Sequence, residues 1–262
     1  MDEIPITGYA DRFSLRPGEK INFKVSSTSR DPYNAKLIRV VSGDPNPEGP
    51  GLIEEDIKSN FSGTYPSRRQ TINLGSYVKV PSNKSFDPSK GFTVGATIWP
   101  TNLNINDQCI ISQFNSTHDA GMALFVGPKG VSVVVADGQK NIIRLSIDKP
   151  LSERRWYHIW ATFDLASEKL EIYQKTVIDS FDLDNLLHKE IKCSIQPIPT
   201  PKQSLIIGAA GNKKITNCFN GKIERPFFIN DAVNDKEALG IAKGKNDPRI
   251  TAIWDFSKNI SS

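Results

Sequence analysis

Apolar and polar residues alternate with a period of two along most of the chain, the pattern of strands with one buried face. Ile21, Phe23 and Val25 alternate with Asn22, Lys24 and Ser26 after the turn Arg16-Pro17-Gly18, and a second strand is predicted over 35–42. Three prolines and three glycines then fall within the nine residues 43–51. Proline lacks a backbone donor and glycine loses the most entropy on ordering, so regular structure is expected to stop here. A domain boundary is accordingly placed within 43–63. Beyond it strands are predicted over 77–80, 92–99, 109–114, 122–126, 131–136, 142–147, 156–164, 169–174, 204–207 and 222–229. The turns Gly127-Pro128-Lys129-Gly130 and Asp137-Gly138 punctuate this run. Short strands at such regular spacing predict an antiparallel sandwich or jelly roll.

Strand faces follow from the alternation. Phe92, Val94, Ala96 and Ile98 share one face of their strand, and Tyr157, Ile159, Ala161 and Phe163 one face of theirs. Trp156, His158, Trp160 and Thr162 take the opposite face. The predicted core is Phe92, Val94, Ile98, Ile159, Phe163, Leu170, Ile172 and Ile206. One helix is expected, with Asn234 as its cap, Glu237 completing a capping box, and Gly244 suited to the left-handed stop after Ala242. The stretch 179–192 reads as helix or loop. The fold class is therefore all-β, with an N-terminal β extension over 1–62, a sandwich over 63–262 and one short C-terminal helix. The extension and a strand over 250–256 are expected to pack on the sandwich, because an isolated hairpin is marginal.

Composition narrows the classes without naming a reaction. The 262 residues carry 33 basic and 29 acidic side chains, a net charge of +4 without long runs, which is no nucleic-acid footprint. No apolar stretch is long enough to span a membrane. Met1-Asp2-Glu3-Ile4 lacks an apolar signal core, so a cytoplasmic location is expected. Cys109, Cys193 and Cys218 are odd in number and sit beside apolar residues, which predicts reduced, packed thiols. The sequons at Asn60, Asn83, Asn115 and Asn259 are read as surface loops.

Catalytic spacing signatures are missing: there is no His-Glu-x-x-His, Cys-x-x-Cys, phosphate-binding glycine loop or Gly-x-Ser-x-Gly elbow. Of the three histidines, His118 sits beside Asp119 in a polar loop, His158 is expected as a hydrogen-bonded sheet residue, and His188 lies in the unassigned stretch. Glu54-Glu55-Asp56 and Glu168-Lys169-Leu170-Glu171 do not reproduce the paired carboxylates of a glycanase. Calcium is the cation that the loop holding Asn102, Asn104, Asn106 and Asp107 would take, with Asp119 as a further oxygen donor, against a plain solvated loop. Tyr9, Tyr33, Tyr65 and Tyr77 are candidates for iron only if distant strands bring them together.

From Gly75-Ser76-Tyr77-Val78-Lys79-Val80, through 92–101 and Trp156-Tyr157-His158-Ile159-Trp160, to Phe219-Asn220-Gly221-Lys222-Ile223-Glu224, the chain resembles laminin-G/concanavalin-A-like jelly-roll modules. The flanks, including Gly8-Tyr9-Ala10-Asp11-Arg12, Gly43-Asp44-Pro45-Asn46-Pro47 and Ala252-Ile253-Trp254-Asp255-Phe256, resemble the N-terminal part of N,N-dimethylformamidase-like amidohydrolase large subunits. That resemblance implies a non-catalytic module whose metal-dependent domain, with its iron, lies downstream of Ser262. It implies no catalytic residue and no cofactor in this chain, and as partners that downstream domain, a small subunit or a second copy. A stand-alone lectin-like module binding a glycan or a protein is the alternative.

Overall fold

The computed structural model describes residues 4–70, 75–105, 107–179, 181, 185–199, 202–211 and 214–258. It divides into two compact units, Met1–Asn73 and Leu74–Ser262.

The first unit is built from three antiparallel strand pairs. β1 (Ile6–Ala10) pairs with β2 (Phe23–Ser27), β3 (Tyr33–Ala35) with β6 (Gly63–Tyr65), and β4 (Leu37–Gly43) with β5 (Leu52–Ile57). The proline- and glycine-rich run is the loop of the β4–β5 hairpin, so it marks no domain boundary. The division falls after residue 73, beyond the expected residue 62, because Gly63–Tyr65 completes a pair begun at Tyr33. Side-chain and backbone bonds tie the pairs together: Ser27 N–H donates to the Arg68 carbonyl at 3.0 Å, and Gln70 Nε2 to the Val25 carbonyl at 2.6 Å. Among the described residues of this unit only Ser27 is buried.

The second unit is a sandwich of two six-stranded antiparallel sheets. Its strands are β7 (Val78–Val80), β8 (Gly91–Pro100), β9 (Gln108–Asn115), β10 (Ala120–Gly127), β11 (Gly130–Asp137), β12 (Ile142–Ser146), β13 (Tyr157–Asp164), β14 (Lys169–Thr176), β15 (Leu186–Lys192), β16 (Leu205–Ile207), β17 (Gly221–Ile229) and β18 (Ile250–Ile253). One sheet runs β12-β11-β10-β9-β16-β7, the other β15-β14-β13-β8-β17-β18. Between them lies the main core, to which β8 contributes Phe92, Val94, Ala96 and Ile98, β13 Tyr157, Ile159, Ala161 and Phe163, and β14 Leu170 and Ile172. Facing them from the other sheet are Met122, Leu124 and Val126 of β10 and Val131, Val133 and Val135 of β11. Cross-strand register sets Phe163 opposite Phe92, with ring centroids 5.9 Å apart.

A second, smaller core covers the outer face of the β8 sheet. Helix α1 (Asp235–Ala242) lays Ala238, Ile241 and Ala242 over Trp160, Phe227 and Ile229. Its start is fixed locally: Asn234 Oδ1 accepts from Glu237 N–H at 3.0 Å, and Glu237 Oε2 accepts from Asn234 N–H at 3.1 Å. Gly95, opposite Trp160, makes room for this layer, since a Cβ there would stand 2.7 Å from both the Phe227 ring and the Ile159 carbonyl.

Two expectations need correction. The part of 179–192 expected as helix or loop that carries residues 186–192 is β15, an edge strand whose mixed Leu, His, Lys and Glu content hides its alternation; residues 180 and 182–184 lie outside the described set. Ile206 is buried, but it stands on the opposite pleat from Leu205 and Ile207 and outside the inter-sheet core those two join.

Replacing Phe163 by Ala should cost about 3–5 kcal/mol in urea unfolding, because a fully buried aromatic leaves a cavity that relaxes only in part. Replacing Gly95 by Ala should destabilise as well, by overpacking against backbone and ring. Wild-type stability in the Gly95 variant would refute the close approach of the Phe227 ring and the Ile159 carbonyl to this position.

Candidate functional site

The outward face of the β9–β12 sheet carries a groove of about 510 Å³. Strand alternation builds it: while Met122, Leu124 and Val126 point inward, Ala123 and Phe125 of β10 point out, beside Val134 of β11 and Arg144 of β12. Phe114, Thr216 and Asn217 close the other side.

Arg144 organises this floor. Its guanidinium carbon lies 5.5 Å from the centroid of the Phe125 ring, and Nη2 donates to Ser132 Oγ at 2.7 Å. Both terminal nitrogens engage Asp107, Nη1 to Oδ2 at 3.1 Å and Nη2 to Oδ1. Asn217 Nδ2 donates to the Asp107 carbonyl at 2.7 Å, and Asn217 O accepts from Cys109 N–H at 2.8 Å. The result is an apolar floor bordered by a stacked cation whose fork is closed on Asp107, with the Asn217 amide bonded to the same residue. Such a surface suits stacking and polar recognition and presents no nucleophile–base pair.

The structure does not assemble the calcium candidates. Asp107 is spent on Arg144, and Asp119 lies in the β9–β10 turn, at the far end of a strand about 25 Å long. Asn104 N–H donates to Asn102 Oδ1 at 3.0 Å. The Gln108 amide takes the Asn102 carbonyl at 2.6 Å and the Ile105 carbonyl at 3.3 Å, so these loop oxygens already have protein donors. Asn106 lies outside the described residues. Of the tyrosines, Tyr33 and Tyr65 stack across β3–β6 at 5.8 Å, and Tyr65 Oη donates to the Phe61 carbonyl at 2.6 Å. Tyr9 belongs to β1 of the first unit, and Tyr77 to the second unit.

His158, two of the three cysteines and two carboxylates of β5 are engaged in structure. His158 is buried beneath the helix layer, with Nδ1 2.8 Å from Thr97 Oγ1. Burial, with the Lys243 and Lys175 ammoniums adding to it, holds its imidazole down at about 4. Burial pushes the Cys109 thiol up to about 12 and the Cys193 thiol up to about 11, so neither is a thiolate nucleophile at neutral pH. On β5, Asp56 pairs with Lys36 at 2.9 Å and Glu55 with Arg39 at 3.9 Å. Arg144 and Phe125 went unnoticed in the sequence, where 19 residues separate them; only the β10–β11–β12 register places them together.

The fold is a concanavalin A-like β-sandwich, and the chain belongs to the concanavalin A-like lectin/glucanases superfamily, whose model matches residues 73–238. Across 99% of its length it is 33% identical to the N,N-dimethylformamidase beta subunit of Paracoccus aminophilus and 32% identical to that of an Alcaligenes species. It covers 36% of each, so the chain spans about a third of the length of these curated relatives. A solved Bacteroides ovatus structure, described as a suspected carbohydrate-binding protein, superposes with a TM-score of 0.51 at 16% identity, covering 79% of this chain and 59% of its own. At that identity the likeness is one of fold.

The neutral, buried His158 makes a pH prediction. Its folded value lies below the unfolded value near 6.5, so its contribution is complete above pH 6.5 and is lost as pH falls toward 4. The loss from this group should reach about 3 kcal/mol. Urea unfolding across pH 4–7 should therefore show a shallower slope for His158→Gln than for wild type. Equal slopes would contradict a buried neutral imidazole.

Proposed function

We propose that this chain is a non-catalytic β-sandwich module of an N,N-dimethylformamidase-like amidohydrolase large subunit, serving as scaffold and docking surface for a catalytic domain elsewhere in that subunit. The observation that carries the reading is the extent of the similarity. It runs over 99% of the chain and so includes the strand pairs before residue 73, which lie outside the match to the sandwich family. A kinship limited to the jelly roll would have stopped at the sandwich.

Two features support the module role. Amide hydrolysis needs an activated water and charge stabilisation at the developing oxyanion, whereas His158, Glu55 and Asp56 are each held by a structural partner and burial keeps the Cys109 and Cys193 thiols protonated. The first unit, by contrast, presents apolar surface. Thirteen large apolar side chains between Ile4 and Tyr65, among them Phe13, Phe23, Val40 and Leu52, are more than a third exposed. Surfaces of this kind are made to be covered. The cover is the remaining part of the large subunit, given that the chain spans only about a third of its relatives. A small subunit or a second copy can join such an assembly, and the name "beta subunit" of the relatives accords with a multi-chain enzyme. Iron belongs, on this reading, to the downstream domain, and the cytoplasm is its location. Among the described residues no helix is long and apolar enough to cross a membrane.

A second reading rests on the groove. Phe125, Ala123 and Val134 form an apolar floor on which a sugar ring could pack. A glycan-binding module would bind an arrayed glycan, and Phe125→Ala would abolish that binding.

Purified residues 1–262, supplied with ferrous iron and N,N-dimethylformamide, should release no dimethylamine above the rate of buffer. Mixed with the remaining two-thirds of the Paracoccus aminophilus beta subunit, the chain should co-elute in gel filtration. Iron-dependent turnover by the chain alone would place an active site inside it and defeat the proposal. Absence of co-elution together with Phe125-dependent glycan binding would favour the second reading.

A further inference from the structure

Three neighbouring strands of the helix-bearing sheet carry a cluster that neither the groove nor the scaffold role employs. Trp160 of β13, Tyr173 of β14 and His188 of β15 stand in register and stack, with centroids 4.7 and 4.3 Å apart and interplanar angles of 9° and 19°. On the next rung Glu171 of β14 faces Glu190 of β15 directly. His188 Nε2 lies 3.2 Å from Glu171 Oε1 and 3.9 Å from Glu190 Oε2. Tyr173 Oη donates to Glu171 Oε1 at 3.0 Å. Lys169 Nζ closes the group, 2.9 Å from Glu171 Oε1 and 2.7 Å from Glu190 Oε2.

These spacings have a chemical meaning. Zinc binds imidazole nitrogen and carboxylate oxygen at about 2.0–2.2 Å, which puts two ligands of one tetrahedral ion about 3.3–3.4 Å apart. The two imidazole–carboxylate separations, 3.2 and 3.9 Å, bracket that value, and the three donor atoms all lie within 4.8 Å of one another. The donors sit on paired strands, and the imidazole is stacked in place, so few torsions remain to be fixed on binding. One nitrogen with two carboxylates suits a borderline transition metal, whereas calcium and magnesium favour oxygen alone. The Tyr173 hydroxyl donates to the ligating carboxylate, as outer-shell partners of metal ligands do. Two carboxylates directly opposed across strands repel, and in the metal-free chain the Lys169 ammonium supplies the compensating charge.

We propose that His188, Glu171 and Glu190 form a binding site for a transition-metal dication of the Zn²⁺ type, which enters by displacing the Lys169 ammonium. Solvent fills the fourth position. The site is independent of the scaffold reading and assigns no catalysis. Its position on the edge strand β15 would let a bound ion accept a further ligand from a docked protein.

The test is isothermal titration of untagged, chelator-stripped 1–262 with Zn²⁺ at pH 7.5, repeated with Co²⁺ for its visible spectrum. One ion per chain is expected, with Co²⁺ bands of four-coordinate geometry that Zn²⁺ bleaches and Ca²⁺ leaves unchanged. His188→Ala should weaken binding on the order of a hundredfold and Tyr173→Phe about tenfold. Lys169→Met should instead tighten it about tenfold, since a cation facing the ion at close range is removed. That gain cannot arise from damage to the fold, which keeps the test decisive if His188→Ala unfolds. No stoichiometric Zn²⁺ binding, binding indifferent to His188, or a Lys169→Met chain that binds no tighter would each overturn the proposal.

Discussion

The second unit depends on burying strand Gly91–Pro100 from both sides. Its inward residues Phe92, Val94, Ala96 and Ile98 are fully buried between the sheets, and its outward residues Thr93 and Thr97 are buried as well, beneath the helix layer. Burial on the polar side is tolerated because each hydroxyl is paired. Thr93 Oγ1 donates to the Asp231 carbonyl at 2.8 Å and accepts from Val233 N–H at 3.0 Å, while Thr97 Oγ1 meets His158. The two Thr93 bonds reach the segment just ahead of Asn234, so the central strand also sets where the helix begins. Gly95 between them lets the layer close.

The two units solve the burial problem differently. The sandwich encloses a continuous core and needs nothing further to hide its strongest apolar strands. The first unit consists of two-stranded pairs, a form that is marginal when isolated. Its order comes from backbone ties such as those of Arg68 and Gln70 to the second strand, and its apolar side chains remain at the surface.

Both surface features of the sandwich are products of register. Arg144 reaches Phe125 and Ser132 because three adjoining strands align them, and Glu171 meets Glu190 because the β14–β15 pairing sets them opposite. In each case a cation lies against the acidic groups, Arg144 on Asp107 and Lys169 on the glutamates. The pairs are exposed, so they add little stability; their consequence is to decide which carboxylates are open to an outside ligand. Asp107 is held by a bidentate fork that is hard to replace, whereas Lys169 is a single flexible ammonium.

By itself the sequence determined the all-β class, the sandwich strands near 77–80, 92–136, 142–147, 156–174, 204–207 and 222–229, the inward face of 92–98 and of 157–163, and the helix with its Asn234–Glu237 cap. These are local matters: strong alternation and capping act within a few residues, and no distant partner is needed to read them. Tertiary structure alone decided the rest. Leu186–Lys192 is a strand only because the edge of β14 offers it hydrogen bonds, and the run 43–51 is a hairpin loop only because β4 and β5 pair across it. Ile206 looks like core by composition, yet the pleat of a three-residue strand turns it away from the core that holds Leu205 and Ile207. Asp107 and Asp119 look like companions in sequence and are separated by the whole of β9, while Glu171 and His188, 17 residues apart, come within 3.2 Å. Pairing between distant strands carries no signature in local alternation, and it was pairing that made the sites.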